Sequence, residues 1–493
     1  MSEILEKARK YEREHKALAD MERPQFHATG AIGWINDPNG FSFYKGEYHL
    51  FHQYHPYSME WGPMHWGHLK TKDFITWEWL PAAIAPDKEY DKDGCFSGSA
   101  VELPDGRQLL MYTGVEKIET ESGIEEFQQQ CIAIGDGLDF EKCELNPVIP
   151  KEMLPEGANI HDFRDPKIWR DGDMFYVVVA NRTQDGSGAI LLFESEDAIH
   201  WRFASTLASC NYEYGTMWEC PDFFSLQGEH VLIISPMEME PVKYEFHPGH
   251  GVLAMIGEYD KETHEFSKNR VQAIDYGLDF YAPQTIETPD GRRIMIAWMR
   301  NWAMTHCRKP NTHIYGAMTI PRELEFKNGR LIQNPVREFE NYRINKIEYK
   351  DILIDGELSL EGVSGRVLDM VVDVKAIEDS SFTDFSVVLG KNEKYHAVIS
   401  YNARTQVVEI DREHSGGRYD VIHTRKFKVS DKGNTIRMRI IMDGDSVEVF
   451  INDGEQAATF MLYSPLEADG ISFVTNGKAV MQVEKYEIKC EDR

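Results

Sequence analysis

No apolar run in these 493 residues approaches the ~18 that a membrane-spanning helix needs. Cations are scarce: 53 Lys and Arg stand against 82 Asp and Glu, a net charge of −29. That balance argues against nucleic acid or an anionic membrane as the main partner, and by itself it is an ordinary solvated acidic surface. The seven cysteines are odd in number and scattered, forming neither a CxxC pair nor a disulfide framework. A reduced, cytoplasmic protein is expected. The opening "MSEILEKARKYEREHKALADMERP" lacks the apolar core of a signal peptide and reads as a charged helix. A phosphate loop and a dinucleotide fingerprint are both missing, so no cofactor is expected. What is present is globular in kind, 42% hydrophobic and 12% aromatic, and long enough for two domains.

The chain repeats itself. "NDPNGFSFYKGEYHLFHQY" from Asn36, "FSGSAVELPDGRQLLMYTG" from Phe96, "FRDPKIWRDGDMFYVVVAN" from Phe163, "WECPDFFSLQGEHVLIISP" from Trp218 and "FYAPQTIETPDGRRIMIAW" from Phe280 share one plan. Each has a polar or proline-marked motif, a short apolar run, a turn ending in glycine and a β-rich strand. The turn glycines Gly46, Gly106, Gly172, Gly228 and Gly291 fall roughly sixty residues apart, a period that points to repeat architecture. Five such units predict an all-β fold, a five-bladed β-propeller. The pattern stops near 336–350. Beyond Val367, alternating strands with Asp443-Gly444 and Asp453-Gly454 turns predict a C-terminal β-sandwich. The expected boundaries are 1–22 for a helical segment, 23–340 for the propeller and 341–493 for the sandwich. The helical segment is expected to pack on the propeller or to serve a homo-oligomer contact.

Position must select among 82 acids. Asp37 precedes Pro38, Asp165 precedes Pro166, and Glu219 lies two before Pro221. A residue before proline is driven toward extended backbone, so each acid is expected near the start of a blade's first strand. In a propeller that strand lines the central channel, and three carboxylates from three blades would meet at one end of it. Two carboxylates flanking a bond are the apparatus for cleaving a glycoside, one ionised and one carrying a proton. Trp218, Cys220 and Pro221 give Glu219 an apolar setting suited to the proton donor. Asn36 and turn amides are expected to hold Asp37 as the anion, and the adjacent Arg164 to hold Asp165 ionised. Gln53, Trp61, Trp66, Phe96, Tyr281, Trp298 and Trp302 cluster near the same motifs, where a sugar ring could stack or where aromatics simply pack between blades.

The ordered set "WINDPNG", "HQYHP", "HWGH", "FSGSA", "FRDPK", "WECPD", "DFYAPQT" and "IPREL" resembles glycoside hydrolase family 32, the invertases, sucrose-6-phosphate hydrolases and fructanases. In the tail, "VVEIDREHSGG" and "SVEVFINDGE" resemble that family's second domain. The resemblance implies a propeller plus sandwich and retaining chemistry on β-fructofuranosides. It implies Asp37 as nucleophile and Glu219 as acid/base, with Asp165 and Arg164 gripping the fructosyl hydroxyls. Asn36, Gln53, Trp61, Phe96, Ser97, Tyr281 and Trp298 are implied to line the pocket, around a small-molecule or oligosaccharide substrate. A fructosyltransferase would use the same intermediate, and a non-catalytic sugar-binding propeller or an inverting glycosidase on a similar scaffold are the other readings. The chain departs from the family after "WMRNW", where "AMTHCRKPNTHIYGAMTIPREL" replaces a more Trp- and Gly-rich run.

Two further clusters are weighed. His52, His55, His65 and His68 sit in strand-like sequence without the spacing of a helical metal site, so polar support is expected and no metal. Arg300, His306, Arg308 and Lys309 crowd ten residues of an acidic chain. They read either as a solvated loop or as a phosphate-binding run beside the leaving group.

Overall fold

The hairpin turn that marks the repeat closes on a left-handed residue in every blade. Gly46 (φ 85°) and Gly228 (φ 88°) are examples, with open space where a side chain would project. A computed structural model describes residues 1–121, 123–307, 312–377, 382–417 and 421–490. The five repeats are five antiparallel sheets, each with its first strand innermost. Those first strands are Gly33–Tyr44, Gly94–Glu102, Ala158–Asp171, Trp218–Leu226 and Tyr281–Glu287. Each packs on the next and the fifth returns to the first, so they form a closed ring around a central channel. Ile314–Tyr315, from the loop inside blade 5, pairs in parallel with Gly33 and Trp34 of blade 1 and joins the last blade to the first. The expected five-bladed propeller is therefore the architecture observed.

Helix α1 (Glu3–His15) starts at Ser2, whose hydroxyl accepts the amide of Leu5 at 3.2 Å. Its buried side, Leu5, Ala8, Arg9 and Glu12, follows helical spacing. Arg9 Nε donates to the Ala82 carbonyl (2.8 Å) and Glu12 accepts the Ala82 amide (3.1 Å). The helix thus covers the outer edge strand of blade 1, Glu78–Ile84, which would otherwise present unpaired backbone.

After the propeller, one hydrogen-bonded sheet of ten strands folds over on itself. The hinge is its last strand, Gly470–Ile488: its first half pairs with Asp384–Lys391 and its second half with Val367–Ala376. Inward residues of the two halves, such as Val387, Ile399 and Phe427 on one and Met370, Ile440 and Val449 on the other, share one core. This is a sandwich whose two sheets stay continuous through shared strands. Buried charges fasten it to the propeller. His27 lies 2.9 Å from both Asp443 and Glu448, Arg322 bridges Asp275 (3.0 Å) and Glu448 (2.5 Å), and Arg412 pairs with Asp279.

Candidate active site

Four first strands carry the same four-residue figure: Asn36-Asp37-Pro38-Asn39, Arg164-Asp165-Pro166-Lys167, Glu219-Cys220-Pro221-Asp222 and Tyr281-Ala282-Pro283-Gln284. Proline cannot donate to the ladder, and in each case the strand bulges there. In blades 3, 4 and 5 the residue before proline is left-handed: Asp165 (φ 65°), Cys220 (φ 48°) and Ala282 (φ 52°). The extended backbone expected before proline is thus not what Asp165 adopts. The bulge turns it, at a cost of order 1 kcal/mol or more that surrounding packing must hold. Blade 2 bulges at Phe96-Ser97-Gly98 instead.

The bulges bring three acids together. Asp37 Oδ2 accepts the Ser97 hydroxyl at 2.6 Å. Asp165 Oδ2 accepts the Cys220 amide at 2.9 Å. The Cys220 thiol lies 3.6 Å from each of these oxygens, so they are at most twice that distance apart. Glu219, next along the chain, receives Arg164 on Oε1 (3.2 and 3.1 Å) and the Tyr281 hydroxyl on Oε2 (2.7 Å). A second polar layer laces the blades beneath. Asn39 takes the Gly98 amide (3.2 Å), Gln284 donates to the Gly98 carbonyl (2.7 Å), and Lys167 pairs with Asp222 (3.1 Å).

Three electrostatic expectations are corrected. Arg164 does not chiefly serve Asp165, which lies 4.0 Å from its Nε; the guanidinium binds Glu219 and Asp162 (2.8 Å). Neighbours in sequence need not be neighbours across a bulge. Burial pushes Asp165 up to about 7, with repulsion from Glu219 and Asp37 adding to it and Arg164 opposing. Asp37 is also raised, by burial and by the charge of Glu219, although hydrogen bonds from Ser97, Asn36 and Cys220 favour its anion. The apolar setting expected for Glu219 is replaced by two polar contacts. The Tyr281 hydroxyl, also 3.0 Å from the Ser235 carbonyl, has one proton for two acceptors. If it donates to Ser235, it can accept from a protonated Glu219.

The remaining expected liners divide by exposure. Asn36 and Gln53 are buried: the indole of Trp34 donates to Asn36 Oδ1 (2.8 Å), and Gln53 donates to the Cys95 carbonyl (2.9 Å). Trp61 is 43% exposed and meets Phe96 edge-on at 5.8 Å, a rim open to a ligand. Trp298 is fully buried against Trp34 and Trp302, so it presents no face for a sugar; it backs the wall. Trp66 is equally buried and donates to the Phe96 carbonyl at 3.1 Å. In sequence Cys220 stands only as an apolar neighbour of Glu219; its place at the figure's second position, matching Asp37 and Asp165, is the signal of its role.

His52, His55 and His65 turn ring nitrogens to the carbonyls of Gln53 (3.1 Å), Glu60 (2.8 Å) and Pro63 (3.0 Å), and His68 meets His49 at 2.9 Å. Burial lowers His52 and His65 to about 4, leaving them neutral. Among the described residues no group of three His, Cys, Asp or Glu is arranged for a metal. In the basic run, Arg300 is half-buried and His306 exposed, while Arg308 and Lys309 lie outside the described residues.

Comparison with known proteins bears on the family and the fold. The glycosyl hydrolases family 32 N-terminal domain matches residues 27–335, and the family 32 C-terminal domain matches 338–489. A sucrose-6-phosphate hydrolase of Zymomonas mobilis is 36% identical over 482 residues, covering 93% of this chain and 90% of its own. A Bombyx mori GH32 beta-fructofuranosidase superposes with a TM-score of 0.83 at 31% identity over 98% of both chains, and a mutant of it has been solved in complex with sucrose. A sucrose-6-phosphate hydrolase from Lactobacillus gasseri gives a TM-score of 0.84 at 27% identity, over 97% of this chain and 96% of its own. Matched through both domains and across nearly its whole length, the chain is a glycoside hydrolase and belongs to glycoside hydrolase family 32.

Proposed function

We propose that the protein hydrolyses terminal β-D-fructofuranosides with retention, acting on sucrose, sucrose 6-phosphate or short fructooligosaccharides. One observation carries the reading: carboxylates from three blades lie together, Asp37 and Asp165 buried and Glu219 half-buried, and Asp37 keeps Oδ1 without a partner among the described residues. That oxygen attacks the anomeric carbon as the glycosidic bond breaks, and Glu219 delivers a proton to the departing oxygen. Water then attacks the fructosyl ester, yielding its proton to Glu219 and freeing Asp37. Asp165 and Arg164 hold the fructosyl hydroxyls, with Asn36, Gln53, Trp61, Phe96, Ser97 and Tyr281 around them. The relatives' names support the substrate class, and seven free cysteines support a reducing, cytoplasmic setting. The test is a rapid quench with sucrose followed by peptide mass analysis. A fructosyl unit on the Asp37 peptide is expected, and Asp37→Asn is expected to lose more than about 10³-fold in kcat, since the nucleophilic route is gone. Fructose released with inverted anomeric configuration would reject the proposal.

A further inference from the structure

A cavity of about 390 Å³ lies between the propeller and the C-terminal domain. Arg300, Tyr315, His27 and Arg23 line it from the propeller side, and Asp443, Asp445 and Tyr463 from the other. Its acids are engaged: Asp443 with His27 (2.9 Å), Asp445 with Arg366 (3.5 Å) and Glu22 with His313 (2.6 Å). Arg23 spends its donors on the carbonyls of Gly30 (2.8 Å) and Ala31 (2.6 Å).

Arg300 is different. Its guanidinium makes no hydrogen bond or ion pair among the described residues, and Nε and Nη1 are buried without partners. It lies over the ring of Tyr315, at 5.0 Å. The hydroxyl of Tyr463, on the opposite wall, is also buried and has no hydrogen-bond partner among the described residues. Two orphaned donors, one permanently cationic, converge on one cavity from two domains. Asp279 and Asp445 act on the Arg300 charge through space, but its buried donors have no partner among the described residues, and a buried donor left unpaired carries its full desolvation penalty. An acceptor-only anion relieves both donors.

We propose that this cavity is a binding site for a phosphate group, held by Arg300 and Tyr463 and distinct from the catalytic carboxylates. Guanidinium suits a phosphate oxyanion because its planar fork can donate two parallel hydrogen bonds. The site is coupled to the pocket through a short stack. Tyr315 lies face to face with Trp34 (4.6 Å, 11°), and Trp34 holds Asn36, the neighbour of Asp37. The phosphate can be inorganic or carried on a sugar; the second case alone rests on the fructosidase reading.

The experiment titrates the full-length protein with inorganic phosphate and follows thermal unfolding, with potassium chloride at matched ionic strength as control. The wild-type Tm should rise with phosphate by mass action, and Arg300→Met should weaken the response at least about tenfold. Without phosphate, Arg300→Met should be at least as stable as wild type, because it removes buried donors that have no partner among the described residues. Tyr463→Phe supplies a second, milder variant, expected to weaken the response about two- to fivefold. KM for sucrose and for sucrose 6-phosphate then distinguishes the sources. A rise confined to the phosphorylated substrate in Arg300→Met places the sugar's own phosphate here; an unchanged ratio with phosphate still binding places the free ion. Equal phosphate responses in wild type and Arg300→Met, with an unchanged KM ratio, would overturn the proposal, whether or not the enzyme cleaves fructosides.

Discussion

Asp165 shows how much a single residue can cost its own fold. It titrates at about 7 in the folded protein against an ordinary 3.8, chiefly because it is buried. The folded state therefore holds the proton more tightly than the unfolded chain. Its contribution is most favourable below about pH 4 and is lost as pH rises toward 7. Asp165→Asn should raise Tm at pH 8 by about 2–4 °C while leaving Tm at pH 4 nearly unchanged, with activity greatly reduced. Equal shifts at both pH values would refute the cause. In wild type, kcat/KM should climb through a limb near pH 7 that Asp165→Asn abolishes. Glu219→Gln tests the other partner. It should lose about 10²–10⁴-fold on sucrose and far less on a fructoside with an activated leaving group, which needs little protonation. An equal loss on both substrates would remove Glu219 from the acid role.

At the scale of elements, the bulged first strand is the unit that builds the site. A regular strand would point alternate residues to opposite faces and set Asp165 and Arg164 apart in a fixed alternation. The left-handed step at Asp165 and Cys220 breaks that alternation and lets a backbone amide, a thiol and two carboxylates meet. Helix α1 works on a different surface. Its contacts fall on Ala82 of the outer strand, on Tyr57, which Tyr11 meets edge-on at 5.1 Å, and, through Arg9, on Asp139 (2.7 Å), none of them a residue of the carboxylate cluster. Removing residues 1–15 should therefore lower Tm by about 3 °C or more and leave kcat within about twofold. A kcat that falls in step with Tm would show that the helix also acts on the site.

For the whole molecule, the two domains are joined by charge as well as by apolar packing. Burial alone would lower the pKa of His27, but hydrogen bonds and charge from Asp443 and Glu448 outweigh it and hold it at about 9. The folded pKa is raised above 6.5, so the stabilisation is full below about 6.5 and is lost as pH rises through 9. Stability should fall by roughly 3 kcal/mol across that window from this group. His27→Gln should be less stable than wild type at pH 6 and show a flatter Tm profile between pH 6.5 and 9. A variant whose profile keeps the wild-type slope would assign the slope to another group. Residues 27, 443 and 448 come from far apart in the chain, so only the closed fold creates this junction.

Local pattern was enough for the architecture. Five glycine-ended hairpins at a steady period can bury their faces only by stacking around an axis, and the acids before Pro38, Pro166 and Pro221 stand out by their shared context. Sequence spacing carries strand order because hairpins are local contacts. It cannot carry what lies across the channel. That Arg164 binds Glu219, that Cys220 touches two carboxylates, that Trp298 is sealed and that Arg300 has no hydrogen-bond partner among the described residues are contacts or burial set by distant segments. Proton affinities follow burial and through-space charge, and both exist only once the blades have closed.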